Sequence, residues 1–199
     1  MIKKTAGTTF GSVIAASVIA GLALFASAAQ ASPNLVANGS FETGDFTSWT
    51  QFGNTGFTGV SGTFGGIAPT DGLFQGFFGP VGSTGGIQQS IATGTGITYI
   101  VSFDLFNFGG TPNSFIADFG GTLLSLTDDA GLGYTTFTYM VTTSGGPTDL
   151  IFTTQQDPSY WLLDHISVVE TPEPATLALM GVALLSMLGL GLMRRRADA

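Results

Sequence analysis

The position of the basic residues is the feature that most constrains this chain. Residues 5–193 contain no Lys or Arg, because all five such residues are Lys3, Lys4, Arg194, Arg195 and Arg196. The segment between residues 32 and 170 carries eleven acidic side chains and one histidine, His165. Its carboxylates must therefore be solvated, hydrogen-bonded or bound to a metal cation. A domain without a basic surface is not a nucleic-acid binder, and its adhesion to an anionic surface would need bridging divalent ions.

The N-terminus has the three parts of a secretory signal. Lys3 and Lys4 supply the positive charge, and an apolar stretch runs from Val13 to Phe25. Ala29 and Ala31 then give the small-x-small pattern that precedes a signal peptidase cut. We expect residues 1–31 to be a signal peptide that the secretion translocon and signal peptidase handle. The alternative is an uncleaved membrane helix.

The C-terminus contains an uncharged run that ends in three arginines. Residues 175–193 would span ~28 Å as a helix, close to the ~30 Å hydrocarbon core of a bilayer. The arginines at 194–196 should hold the far end in the cytoplasm, which places residues 32–174 outside it once the signal is removed. The alternative is a buried helix of a soluble domain.

The residues before that run carry a resemblance. Thr171-Pro172-Glu173-Pro174, one apolar helix and the terminal Arg cluster resemble the PEP-CTERM sorting signal. The resemblance implies recognition by exosortase, a cysteine-dependent membrane enzyme thought to cut near Pro172, Glu173 and Pro174. It also implies a Gram-negative bacterium that makes exopolysaccharide and biofilm, and a final location at the cell surface or in the extracellular matrix. The alternative is that Pro-Glu-Pro is only a stiff spacer beside the membrane.

The segment between the two ends predicts an all-β domain over residues 32–170. Alternation puts Tyr99, Val101, Phe103 and Leu105 on one face of a strand, and a second strand covers 134–142. Gly120-Gly121 is a two-residue hairpin signal, and residues 161–169 form a closing strand. The number of short strands and Gly-rich turns predicts an antiparallel β-sandwich of jelly-roll type. No cysteine is present, which excludes disulfides and a thiol nucleophile.

Residues 44–86 are harder to interpret. They contain thirteen glycines, which weaken strands, together with eight Phe or Trp residues, which argue against simple disorder. We interpret the segment as loops and short strands on one side of the sandwich. The three Phe-Gly-Gly triplets beginning at 64, 108 and 119 are unequally spaced, so they indicate turns and not a repeat.

A second resemblance concerns the domain itself. The opening "NLVANGSFETGDFTSW", the segment "GIQQSI" and the closing "WLLDHISV" are similar to carbohydrate-binding modules of galactose-binding-like jelly-roll fold. In that family a structural calcium often joins the two chain ends, and the matching positions are Glu42 and Asp164. Calcium takes such hard oxygen ligands. A carboxylate that accepts backbone N–H bonds, or a β-bulge that turns Asp164 outward, is the competing account.

The resemblance also implies aromatic platforms for sugar rings. Trp49, Tyr160 and Trp161 are the candidates, and Tyr160, beside Pro158 and Ser159, is the best exposed of them. Core packing is the alternative role for each.

An enzyme is the rival class of function. Asp128 and Asp129 are adjacent in sequence and indicate a turn rather than an acid/base pair. His165 is the only histidine, and it therefore predicts neither a zinc site nor a hydrolase triad. We accordingly expect a non-catalytic, exported surface or matrix protein that binds glycan. The alternatives are a self-associating structural or adhesive protein, and a glycan-active enzyme.

Overall fold

The computed structural model describes residues 32–157 and 159–171, which contain eight antiparallel strands and no helix. The all-β prediction is confirmed for this part of the chain, where accordingly no helix is long and apolar enough to cross a membrane. The predicted signal peptide and the sorting segment from Pro172 onward lie outside the described residues. The strands are β1 (Thr50–Gly53), β2 (Thr58–Ser61), β3 (Gln75–Phe78), β4 (Gly85–Asn107), β5 (Asn113–Phe119), β6 (Thr122–Thr127), β7 (Leu132–Gln156) and β8 (Trp161–Glu170).

Two long strands, β4 and β7, pair with each other and run through both layers of a sandwich. Their first and second halves are separated by a register break between the pairs Thr95–Ser144 and Thr98–Thr142. Glycines at the break take left-handed backbone angles, for example Gly96 at φ 72°. A Cβ at Gly145 would lie 2.1 Å from Thr95 Oγ1, so the strands approach too closely there for a side chain.

The two layers follow from the pairing of each half. The first part of β4 pairs with β1, and the later part of β7 pairs with β5, which in turn pairs with β6. The later part of β4 pairs with β8, which leads through β3 to β2. The observed strand order therefore gives two layers that share the paired strands β4 and β7.

The core lies between these layers and follows the alternation in the sequence. Tyr99, Val101, Phe103 and Leu105 are at most 2 % exposed, as the period of two predicts. The Phe103 ring lies 5.2 Å from that of Phe152, which belongs to the other layer. Burial of these aromatic side chains is the main source of stability that a domain without disulfides has available.

The Gly-rich segments form turns and short strands, as predicted. Gly120 and Gly121 connect β5 to β6 at φ 65° and 153°, and both glycines of the other two Phe-Gly-Gly triplets also have positive φ. Residues 44–86 contain β1, β2 and β3, each of four residues, joined by loops. Asp128 and Asp129 lie in the loop after β6.

A β-bulge in β8 changes the face on which Asp164 lies. Asp104 pairs with Asp164, but Ser102 pairs with Ser167, so β8 has an extra residue here. His165 takes the left-handed conformation at φ 50°, as bulged residues commonly do. Leu163 and Ile166 therefore face the core. The side chain of Asp164 lies on the opposite face of the sheet. Asp164 therefore does not share the core-facing side of Ile166 and Val168, and the bulge is of the kind named above as an alternative for this residue.

Candidate functional site

An open groove lies where β2, β3 and β8 begin or end. It has a volume of about 470 Å³ and is lined by Phe57, Gly79, Val81, Asp157, Ser159 and Tyr160. Two aromatic rings, a carboxylate and a hydroxyl thus share one concave surface. Grooves that combine apolar walls with a few polar groups are the usual form of ligand sites.

Phe57 is held in an unusual conformation at the rim of this groove. Its side chain is 66 % exposed and its φ is 55°, in the left-handed region that bulky residues rarely occupy. Its carbonyl accepts a hydrogen bond from Gly79 N–H at 3.0 Å, which fixes the turn. Exposure of a large aromatic ring and backbone strain are both unfavourable for folding, and residues kept in such states cluster at functional sites.

Tyr160 packs closely against the backbone on the other side. A Cβ at Gly79 would lie 2.7 Å from Tyr160 Cε1, so only glycine leaves room for this ring position. The carbonyl of Tyr160 accepts from Phe108 N–H at 3.1 Å. Tyr160 is thereby held in place both through its backbone carbonyl and through one side of its ring.

Asp157 provides the charged group of the groove. Gly82 N–H donates to its two carboxylate oxygens at 3.1 and 3.0 Å, and Gln155 Nε2 donates to Oδ2 at 3.2 Å. These donors fix the carboxylate beside the two aromatic rings. The arrangement offers rings for apolar contact and oxygens for hydroxyl donors.

The structure places the two tryptophans elsewhere. Trp49 is 7 % exposed, and its Nε1 donates to Asn38 O at 3.0 Å. Trp161 is 0 % exposed, and its Nε1 donates to Gln155 O at 3.1 Å. Neither ring offers a face to a sugar, so these two candidates are corrected to core residues. Of the three predicted platforms, Tyr160 alone lies in the groove.

A second aromatic cluster lies next to the groove, on the sheet face away from the core. The Phe64 ring is 4.6 Å from Phe77 and 4.8 Å from Tyr160. Phe64 belongs to residues 62–74, the loop between β2 and β3, which we call the outer loop. The buried Gln75 holds this loop, since its Nε2 donates to Gly62 O at 2.7 Å and Ile67 O at 2.8 Å. The outer loop therefore supports one wall of the aromatic surface.

Glu42 and Asp164 both hold the outer loop by accepting its backbone N–H groups. Asp164 Oδ2 accepts from Thr70 N–H at 2.7 Å and Asp71 N–H at 3.0 Å. Glu42 Oε1 accepts from Leu73 N–H at 2.8 Å and Phe74 N–H at 2.9 Å. The two predicted residues act on the same loop, one from each end of the domain sequence.

Asp164 is fully buried, so its environment also changes its titration. Burial raises the pKa of its carboxyl above the ordinary value of 3.8, and hydrogen bonds from Asp71, His165 and Thr70 oppose that rise. His165 N–H donates to Oδ1 at 2.7 Å. The competing account of this residue, a buried carboxylate satisfied by N–H donors, describes the contacts observed.

The fit of a calcium ion to these residues can be judged from their contacts. Their carboxylates have the oxygen chemistry that calcium takes, but the oxygens described above are directed at N–H donors. Among residues 32–157 and 159–171, no three or more His, Cys, Asp or Glu side chains form a group able to hold a metal. The residues as arranged do not form a calcium cage. A structural calcium at Glu42 and Asp164 stays a prediction of the resemblance.

His165 lies apart from the groove residues, on the outer face of β8. Its Nδ1 is 3.5 Å from Asp104 Oδ2, and Thr136 Oγ1 donates to Asp104 Oδ1 at 2.5 Å. The side chain of His165 is mostly solvent-exposed.

Asp128 and Asp129 accept hydrogen bonds from neighbouring residues. Asn113 N–H donates to Asp128, and Asn107 Nδ2 donates to Asp129.

Sequence reasoning did not single out Phe57, Val81 or Asp157 for the groove. Phe57 was one of eight aromatic residues in a Gly-rich segment, and nothing in its neighbours distinguishes a ring at the surface from one in the core. The signal that was available is the sequence Asp157-Pro158-Ser159-Tyr160, a turn-forming stretch next to a strand. It identified Tyr160 and should have included Asp157.

The comparisons with known proteins give the fold. No protein-family model and no curated protein matches the sequence. Among solved structures, TmCBM61 in complex with beta-1,4-galactotriose is similar at 18% identity and a TM-score of 0.52, covering 70% of this chain and 100% of that one. The CBM22-1-GH10 modules of Clostridium thermocellum xylanase Xyn10B, complexed with xylohexaose, have 13% identity and a TM-score of 0.52. That match covers 70% of this chain and 29% of the xylanase chain. The domain has the jelly-roll fold seen in carbohydrate-binding modules.

Proposed function

We propose that the domain is a non-catalytic glycan-binding module and that the groove of Phe57, Asp157 and Tyr160 is its binding site. The observation that carries this proposal is the strained, exposed Phe57 ring, which shares a groove with Tyr160 and a carboxylate. Apolar faces of sugar rings stack on aromatic side chains, while sugar hydroxyls donate to carboxylates. The jelly-roll fold supports the proposal, because the two neighbours named above are described with bound oligosaccharides.

The charge of the domain selects among glycans. Residues 32–170 carry eleven acidic side chains and no Lys or Arg, and the groove contains the carboxylate of Asp157. A polysaccharide rich in uronic acid or sulfate would be repelled by this surface. The ligand class is therefore a neutral polysaccharide, with oligosaccharides of galactan and xylan as the first to test.

The groove favours binding over hydrolysis. Asp157 is the single acidic residue among the groove residues that the structure describes. A retaining glycosidase needs two carboxyl groups ~5 Å apart, and an inverting one needs a pair at ~6.5–9.5 Å. This is the reason that we propose a binding module and not the glycan-active enzyme.

The test compares binding of a panel of neutral polysaccharides to the chain and to two variants. Phe57→Ala and Tyr160→Ala should each weaken binding by about tenfold or more, because each removes a ring face from the site. Leu73→Ala is the matched control, since Leu73 is an equally exposed apolar residue (72 %) outside the groove. Equal binding by all four proteins, or no binding to any glycan in the panel, would refute the proposal.

We further propose that the chain is exported and sorted as the terminal sequences indicate. Its partners are then the secretion translocon, signal peptidase and an exosortase-type enzyme, and its destination is the cell surface or exopolysaccharide matrix. Support comes from the sequence alone: the Lys pair, the Ala29–Ala31 cleavage pattern, and Pro-Glu-Pro before an uncharged run and three arginines. Mass spectrometry of the chain from its native cells should find an N-terminus at Ser32 and a C-terminus near Pro-Glu-Pro. Intact termini on a cytosolic protein would contradict this proposal.

A further inference from the structure

The first part of β7 has one side that no other described strand covers. Residues 132–142 of β7 pair with β4 and, within the part of the chain that the structure describes, with no second strand. Half of the N–H and C=O groups of such an edge point away from the sheet. The edge is long, since it covers eleven residues of a strand in a single layer.

From Thr135 to Thr142 this edge lacks the features that keep sheet edges apart. Proteins protect them with charged side chains, proline or bulges. Residues 132–142, LGYTTFTYMVT, contain no charge and no proline. One register shift against β4 lies at the start of the edge, between Leu132 and Thr135, and the register from Thr135 to Thr142 is continuous. The side chains are β-branched or aromatic for the most part, which favours further strand pairing.

Apolar side chains on both faces of the edge are incompletely covered. Phe137, Tyr139 and Val141 point toward the core but are only partly buried. Met140, on the opposite face, is 72 % exposed. A strand added at this edge would cover part of all four, so apolar burial would add to the backbone hydrogen bonds.

The charge pattern indicates which strand would be added. The edge itself, residues 132–142, carries no acidic side chain, whereas residues 32–170 together carry eleven acids and no Lys or Arg. Two copies of so anionic a domain repel each other over most of their surfaces. The neutral edge is where that repulsion is weakest, and antiparallel pairing of identical strands presents the same uncharged groups to each other.

We propose that the exposed edge of β7 pairs antiparallel with the same edge of a second copy of this chain. Full overlap of residues 132–142 puts the two-fold axis at Phe137, so that Thr136 of each copy lies opposite Thr138 of the other. In the continuous sheet that results, the β7 strands of the two copies lie side by side at the centre. This dimer does not depend on the groove, which is formed by β2, β3, β8 and their loops.

The first test uses cysteine cross-linking of the full chain in detergent, because the natural sequence has no cysteine. Differently tagged Thr136→Cys and Thr138→Cys chains should form a mixed disulfide, since directly paired residues have Cα atoms ~4.5–5.5 Å apart. A mixture of Thr138→Cys and Thr142→Cys should not cross-link, because these positions are out of register. Cross-linking in neither mixture, or only in the second, would overturn the proposal.

The second test is the oligomeric state by light scattering. Thr138→Asp should weaken the dimer by about tenfold or more, because it sets two negative charges close together at the paired edges. Ser125→Asp is the matched control, since Ser125 is also exposed on an edge strand, β6. A Thr138→Asp chain that dimerises as strongly as the natural one, or equal weakening by Ser125→Asp, would also overturn it. Thr138→Asp should leave glycan binding per chain unchanged, so this test is separate from that of the groove.

Discussion

Replacing Gly72 by alanine tests whether Glu42 holds the outer loop as described. Gly72 has φ 67°, and a Cβ built on it would lie 2.3 Å from both Cδ and Oε1 of Glu42. Glu42 is an exposed, flexible side chain, so it would move away rather than distort the backbone. In moving it would lose its hydrogen bonds from Leu73 N–H and Phe74 N–H.

The expected magnitude follows from these two effects. The left-handed backbone costs an alanine about 1–2 kcal/mol, and two lost hydrogen bonds cost about 1–3 kcal/mol together. Gly72→Ala should therefore lower the free energy of unfolding by about 2–5 kcal/mol.

The matched control is Gly66→Ala in the same loop. Gly66 also has a positive φ, 85°, but no atom lies within 4 Å of its Cβ position. This control should cost only the backbone term of about 1–2 kcal/mol. The free energy of unfolding of each variant is measured by urea denaturation.

A double variant separates the effect of Glu42 from that of the backbone. In a Glu42→Ala background, Gly72→Ala should cost no more than Gly66→Ala does, because there is no carboxylate left to displace. If Gly72→Ala and Gly66→Ala are equally destabilising in the natural chain, Glu42 does not bind the outer loop. The description of the loop given above would then be refuted.

Two further predictions concern Asp164. Burial raises its pKa above 3.8 in the folded chain, so the folded state binds this proton more tightly than the unfolded state does. The contribution of Asp164 to the free energy of unfolding therefore falls as the pH rises from 3.8 through the raised pKa. Urea denaturation at several pH values should show this fall in the natural chain and its loss in Asp164→Asn. Equal slopes of unfolding free energy against pH in the two proteins would contradict the prediction. Because both carboxylates already accept N–H groups, we expect a chelator to leave the melting temperature unchanged, whereas a fall that calcium reverses would establish the metal site.

The fold was largely predictable from the sequence because alternation is a local property. Tyr99, Val101, Phe103 and Leu105 lie on the face that their period of two assigns to the core. The Gly120-Gly121 hairpin is likewise determined by the residues of the turn itself. The full length of β7 was not predicted, because Gly145 and Gly146 look like the end of a strand and here form a bend within one.

The candidate site was less predictable, because its features depend on contacts distant in sequence. The face of Asp164 changes with one bulged residue, His165, whose conformation follows from the pairing of β8 with β4. The burial of Trp161 follows from packing against residues distant in sequence, among them Phe115 and Phe78. Composition and spacing carry no information about such contacts, whereas the acidic character of the domain is a property of composition alone.

The direction of β8 has a consequence for how the module is presented. Tyr160, in the groove, immediately precedes β8, and Thr171 immediately follows it. Ten residues of extended chain separate the two by ~33 Å. The described chain thus ends, at Thr171, about the length of β8 away from the groove. If the chain is anchored after Thr171 and binds glycan in the groove, as proposed above, its binding sites would lie on the side of the domain away from the anchor.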